Sequence, residues 1–146
     1  MGIVVEIGTS NTKGGKIKNV DKVDVLKGKG VVSDRKFREN NDKNCQITII
    51  EIENIKYFNN KNKTNIAPVE FRRNIISKDI RLNELLGREF KIGMVKVKAH
   101  DLCRPCKYLQ DKLKQNNFVK EFLQKGGLRC EILTNGQISV NDIIEI

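Results

Sequence analysis

At 146 residues, with 28 Lys and Arg against 18 Asp and Glu and a formal charge of +10, the chain is long enough to bury one ordinary core without disulfide or metal staples. The opening Met1-Gly2-Ile3-Val4-Val5-Glu6-Ile7 has no basic flank, Glu6 breaks its apolar run and denies it the Ser or Thr of a myristoylation signal, and no later stretch reaches spanning length, so the sequence predicts a cytoplasmic protein without a membrane segment. The charge favours polyanions, phosphate-bearing cofactors or acidic partners without choosing among them, and the four cysteines are expected to stay reduced in that compartment.

Taken in chain order, alternation of apolar and polar residues predicts strands at 3–7, 23–26, 46–50, 69–76, 94–100, 129–133 and 142–146. The clearest is the fifth, where Val95, Val97 and Ala99 face a core and Lys96, Lys98 and His100 face out. Helical spacing is confined to Ile52, Ile55 and Phe58, to Leu109 with Leu113, and to Val119, Phe122 and Leu123. Turns fall at Lys27-Gly28-Lys29-Gly30, at Gly126-Gly127 and at Asn135-Gly136, the last a hairpin signal, and the polar stretch 59–65 is the best candidate for a mobile loop. Many short strands with few helices predict a mainly β fold, a sandwich or barrel with short flanking helices, in one domain over 1–146.

Three clusters carry chemistry. Leu102-Cys103-Arg104-Pro105-Cys106-Lys107 sets two thiols three apart among basic residues, an environment that favours the thiolate, and a helix starting near Cys106 would favour it further. Such a sulfur can accept a persulfide, ligate a soft metal or pair with its neighbour. A thioredoxin-like site lacks its strand-helix-strand setting, a zinc knuckle lacks a second pair, and a purely structural pair stays open. Cys45 and Cys130 lie in apolar, strand-like runs and read as buried thiols. His100, the single histidine, ends the strand leading to Cys103, where it can tune a thiol or help bind an anion, though a solvated imidazole is the plainer reading.

The second cluster is Val69-Glu70-Phe71-Arg72-Arg73-Asn74-Ile75, whose alternation sends Arg72 and Asn74 to one face and Arg73 to the other. Guanidinium groups take phosphate or carboxylate bidentately, so the set suits a phosphorylated cofactor; alone it reads as a solvated edge strand. The third is Gly28-Lys29-Gly30-Val31-Val32-Ser33-Asp34-Arg35, a turn leading to a carboxylate and a guanidinium, with the spacing of neither a P-loop nor a dinucleotide fingerprint.

In this order the clusters resemble the MOSC domain family, the sulfur-carrier module of molybdenum cofactor sulfurases. Gly30-Val31-Val32-Ser33-Asp34-Arg35 is similar to the family's Gly-x-x-Gly-Asp-Arg turn, Gln46-Ile47-Thr48-Ile49-Ile50-Glu51 to its Arg-Gln-Val-Thr-Leu strand, Phe71-Arg72-Arg73-Asn74-Ile75 to its Arg-Asn segment and Cys103-Arg104-Pro105-Cys106 to its cysteine site. Leu82 to Gly87, Ile92-Gly93, Gly126-Gly127-Leu128-Arg129 and Gly136-Gln137-Ile138 extend the likeness over nearly the whole chain. The chain departs from the pattern at Ser33 and Asn141, where the family has Gly, and at Cys45, where a basic residue often stands.

The resemblance implies a MOSC-type β-barrel that works with molybdenum cofactor, a phosphorylated pterin dithiolene (molybdopterin). It implies Cys106 as sulfur carrier and molybdenum contact and Cys103 as assisting or resolving thiol. Arg72, Arg73 and Asn74 then hold the cofactor, with Asp34, Arg35, His100 and Arg104 around them. The chain has no room for a pyridoxal-phosphate desulfurase, so a persulfide would come from a separate cysteine desulfurase and pass to a molybdoenzyme. Two other readings are a binding module for the cofactor or for oxyanions without sulfur transfer, and a basic nucleic-acid-binding barrel. The latter is disfavoured by six Phe, two Tyr and no Trp, too few for a base-stacking platform.

Overall fold

The computed structural model describes residues 1–104, 107–115, 120 and 124–146, with Lys107 and Tyr108 described by their backbone. Alternation builds the longer strands: β1 (Gly2–Thr9) sends Val4 and Ile7 to the core, and β8 (Val95–Leu102) sends Val95, Val97 and Ala99, all 0% exposed. Between them come β2 (Lys18–Val20), β3 (Lys22–Leu26), β4 (Gly30–Val31), β5 (Ile47–Glu51), α1 (Ile52–Asn62), β6 (Ile75–Lys78) and β7 (Glu89–Ile92), with 3-10 turns at Pro68–Phe71 and Leu82–Leu85. After β8 follow α2 (Lys107–Leu113), β9 (Leu128–Ile132), β10 (Gly136–Ser139) and β11 (Ile143–Glu145).

Seven strands close into a barrel in the order β1-β6-β5-β9-β8-β7-β11, with β11 returning to β1 through Gly2 opposite Ile144 and Ile3 opposite Ile143. Strands β5 and β6 are parallel, with Ile49 opposite Ile75, while the other neighbours in the ring are antiparallel. A parallel pair needs a crossover, which α1 and the Pro68–Phe71 turn supply. Strand β2 extends β1 outside the ring, and β10-β3-β4 form a separate small sheet.

The run Ile47-Thr48-Ile49-Ile50 is apolar on both sides because both faces of β5 are covered. Ile47 and Ile49 join the barrel interior with Ile75, Phe90, Leu128 and Ile144. Ile50 instead joins Ile52, Ile55, Phe58, Phe71, Ile76 and Leu109 in a second cluster beneath α1. Phe58 and Phe71 meet edge to face at 6.1 Å, a favourable aromatic geometry.

The structure corrects several expectations. The strand predicted over 69–76 begins only at Ile75: Pro68 opens a 3-10 turn in which Glu70 and Arg72 donate to the Ala67 and Val69 carbonyls, and Arg72 is left-handed at φ 65°. Arg72 and Asn74 therefore do not share a strand face. The stretch 59–65 is largely the end of a helix rather than a loop. Asn59 continues α1, its side chain accepts from Ile66 N–H and Thr64 Oγ1 and donates to the Ile66 carbonyl, and Lys63 ends the helix in a left-handed cap. Asn135-Gly136 does not turn a hairpin, since β9 pairs with β8 and β5 whereas β10 pairs with β3; Asn135 Oδ1 instead accepts from Lys27 N–H at 2.6 Å. Cys45 sits in the bend before β5, partly exposed, rather than in a strand. The helical piece predicted from Val119, Phe122 and Leu123 lies outside the described residues.

Candidate functional site

Thr48 on β5 stands opposite Arg129 on β9, and since their sequence neighbours Ile47, Ile49, Leu128 and Cys130 fill the barrel, both point out from its wall. Over this patch four chain segments converge: the β1–β2 loop with Lys13 and Gly14, the turn after β4 with Arg35 and Lys36, the Arg72-Arg73 link before β6, and Cys103-Arg104 after β8. Leu109 of α2 closes one side. Together they line a cavity of about 360 Å³ whose described walls carry seven Lys and Arg side chains and no carboxylate.

Three of the guanidinium groups are held by groups behind them. Asp34, its side chain 2% exposed, accepts from Arg35 Nη1 at 3.1 Å and from Ser10 N–H at 3.0 Å, while Lys36 N–H reaches its other oxygen at 3.4 Å. Asp34 thus faces away from the cavity and fixes Arg35 toward it. Ser33 enters this turn at φ 70°, so the left-handed geometry that glycine would adopt freely is retained with a side chain in place. Arg73 donates from Nε to the Gly126 carbonyl at 2.9 Å and from Nη1 to the Phe71 carbonyl at 3.3 Å, and Arg72 Nη1 donates to the Gly15 carbonyl at 2.9 Å. A guanidinium has five N–H groups, so these bonds orient Arg35 and Arg73 and leave donors for an anion. Arg129 makes no side-chain hydrogen bond or ion pair among the described residues.

Asn74 lies beneath the cavity rather than in its wall. Its Oδ1 accepts from Thr48 N–H at 3.1 Å and Oγ1 at 3.3 Å, its Nδ2 donates to the Gly8 carbonyl at 3.2 Å, and its N–H donates to Thr48 Oγ1 at 3.0 Å. The amide positions Thr48 and joins three strand ends. His100 points elsewhere and is hydrogen-bonded to Glu131 at 2.7 Å. Arg104, on the rim, pairs with Asp101 at 3.2 Å. The Leu102 N–H donated to Asp101 holds that carboxyl below the usual range, with Arg104 adding to the effect.

Cys103 is 4% exposed and forms part of the cavity floor. Its N–H donates to the Gly127 carbonyl at 2.7 Å, and its own carbonyl lies so close to Gly126 that an added Cβ would come within 2.4 Å. Cys106 and Pro105 lie outside the described residues. Cys130 is inside the barrel, where burial first and the neighbouring Cys103 second push its thiol pKa far up, so it stays neutral. The Lys36 residue is open to solvent along much of its length, yet desolvation of its ammonium, followed by repulsion from Arg35, Arg73 and Arg129, lowers its pKa; a thiolate at Cys103 would act the other way. An unbalanced cation cluster of this kind favours an incoming anion. Among the described residues no group of three or more His, Cys, Asp and Glu is placed to hold a metal ion directly.

Of the residues expected at the site, Arg35, Arg72, Arg73, Cys103 and Arg104 line the cavity, Asp34 and Asn74 stand behind it, and His100 is outside it. Sequence reasoning missed Lys13, Lys36, Thr48 and Arg129 as lining residues. Arg129 had a signal, being the polar residue between Leu128 and Cys130; Lys13 and Lys36 had none among so many lysines.

The fold and site define a closed β-barrel with a cation-lined cavity on its outer wall. The chain belongs to the MOSC domain family, whose model matches residues 25–145. Its fold is similar to that of the YuaD protein from Bacillus subtilis, with a TM-score of 0.82 at 21% identity over 99% of this chain and 95% of that one. YiiM from Geobacillus stearothermophilus superposes with a TM-score of 0.77 at 18% identity, covering 99% of this chain and 74% of that one. YiiM from Escherichia coli gives 0.73 at 18% identity, covering 99% and 69%. No curated protein matches the sequence.

Proposed function

We propose that this MOSC-domain protein binds molybdenum cofactor in the cation-lined cavity and carries sulfur on Cys106 as a sulfurtransferase-type carrier. The observation that supports the reading is the cavity itself: about 360 Å³, with seven cationic side chains and no carboxylate in its described walls, and Cys103 on its floor. That volume lies within the usual range for a small-molecule site. The donor set suits a phosphorylated anion. Arg35, Arg72 and Arg73 would hold its phosphate through preoriented N–H groups, Lys36 and Arg129 would balance the remaining charge, and Thr48 adds a hydroxyl. When bound, the cofactor supplies a soft, dithiolene-held molybdenum that accepts sulfur.

The protein's own part in the chemistry is thiol exchange. A Cys106 thiolate attacks the terminal sulfur of a donor persulfide, the new S–S bond forms at Cys106, and the donor leaves as its thiolate. Cys103, on the cavity floor, assists or resolves. A separate cysteine desulfurase is the donor and a molybdoenzyme the recipient, acting in the cytoplasm, where thiols stay reduced. Among the described residues no helix is long and apolar enough to cross a membrane.

The test is to expose the purified chain to a cysteine desulfurase and cysteine and to map added sulfur by peptide mass. A gain at Cys106, lost in Cys106→Ser, is expected. No gain there, while a known persulfide acceptor is loaded in the same mixture, removes sulfur transfer. If Arg73→Ala then abolishes cofactor retention while Cys106→Ser does not, the binding module without transfer is what remains.

A further inference from the structure

We propose that Cys103 takes sulfur directly from a small dianionic sulfane-sulfur donor of the thiosulfonate class, thiosulfate being the simplest. This rests on the anion-binding reading of the same cavity and adds to it a donor that no partner protein has to deliver. Access, charge and leaving group all favour it.

Access comes first. Cys103 is 4% exposed and meets solvent through the cavity. A persulfide borne on another protein's cysteine would have to reach a thiol recessed on the cavity floor, whereas a five-atom dianion is small beside a cavity of about 360 Å³. Charge is the second consideration. Lys36, Arg35, Arg73 and Arg129 line the same cavity as Cys103, with no carboxylate among its described walls. Their mutual repulsion is visible at Lys36, whose ammonium is disfavoured by burial and by those three guanidinium groups. A dianion relieves it. The leaving group is sulfite, itself a dianion, so the cations that hold the donor also hold the charge that develops as the bond breaks.

The step balances without an outside oxidant. The Cys103 thiol gives its proton to water; the thiolate attacks the outer, sulfane sulfur of thiosulfate. A sulfur–sulfur bond forms at Cys103 while the bond to the sulfonate sulfur breaks, and its electron pair leaves on sulfite. The sulfane sulfur moves as a neutral atom, so the thiolate becomes a persulfide and thiosulfate becomes sulfite.

The experiment uses the full chain and thiosulfate isotopically labelled in its outer sulfur, with released sulfite measured and labelled sulfur mapped by peptide mass. One labelled sulfur at Cys103 per sulfite released is expected. Lys36→Met, at a solvent-open position, should raise the thiosulfate concentration for half-maximal loading about tenfold relative to iodoacetamide alkylation of the same thiol, as befits loss of one charge-assisted contact. Label on Cys106 with Cys103 unmodified, or alkylation of Cys103 without any loading by thiosulfate, overturns the proposal. Cofactor retention is measured on the same preparation. Retention without sulfite release removes this proposal alone; sulfite release without retention removes the cofactor reading and leaves this one standing.

Discussion

The Asn74 amide joins β1, β5 and the approach to β6 through bonds to Gly8 and Thr48, at a site 5% exposed. Replacing it with Ala leaves the Thr48 N–H and the Gly8 carbonyl without partners in a buried place. Asn74→Ala is expected to cost about 2–4 kcal/mol of unfolding free energy, read from the midpoint of a urea transition; an unchanged midpoint would refute the assignment. Ser33 at φ 70° and Asn141 at φ 78° pull the other way. Ser33→Gly is expected to stabilise by about 1 kcal/mol, and Asn141→Gly by less, since Asn tolerates the left-handed region better than Ser; calorimetry would detect a rise in Tm. At this scale the Gly-to-Arg turn was legible down to its backbone need, because Ser33, which stands where the family has Gly, is at positive φ. The Arg-Asn segment was legible by residue type only. Val69 and Phe71 are buried in a 3-10 turn just as they would be in a strand, so apolar alternation does not tell the two apart, and Pro68 was the local clue.

Among the elements, the junction before β9 controls the cavity floor. A Cβ on Gly127, which sits at φ +95°, would lie 2.0 Å from the Ile49 carbonyl oxygen, and neither backbone can yield without parting β5 from β9. Gly127→Ala is therefore expected to destabilise by roughly 3 kcal/mol or more and to raise the reactivity of the now less buried Cys103; a variant with native stability and native thiol reactivity would refute this. Strands β1, β5 and β8 announce themselves through their buried apolar residues, Val4 and Ile7, Ile47 with Ile49 and Ile50, and Val95, Val97 and Ala99. Strands β2 and β4, of 3 and 2 residues, have too few positions to show a period and exist through their pairing partners. The Asn135-Gly136 signal failed for a related reason: turn chemistry is local, but partner choice is tertiary, and β10 is taken by β3.

For the whole molecule, the charge of +10 matters where it is gathered on one wall. Phosphate or thiosulfate binding should weaken steeply with added salt. It should also weaken with rising pH, and the sign follows from Lys36. Its pKa is lowered in the free site and should rise when an anion binds, so affinity is full below the free-site pKa and is lost as pH rises through the bound-site pKa. Lys36→Met should flatten the alkaline limb of the profile measured by isothermal titration; an identical limb in the variant would place the titrating group elsewhere. The barrel class and the basic character of the site could be read from sequence, whereas the gathering of Lys13, Lys36 and Arg129 could not, since it arises from loops brought together by closure. Closure has a further consequence, for the order of folding. The seam between β1 and β11 sets Gly2 against Ile144, joining segments separated by almost the full chain, and contacts at such separation form slowly. Until the seam forms, both strands present unpaired edges, which a second chain can capture as readily as the chain's own other end. Refolding yield should therefore fall as protein concentration rises, with the lost fraction held together through β1 and β11.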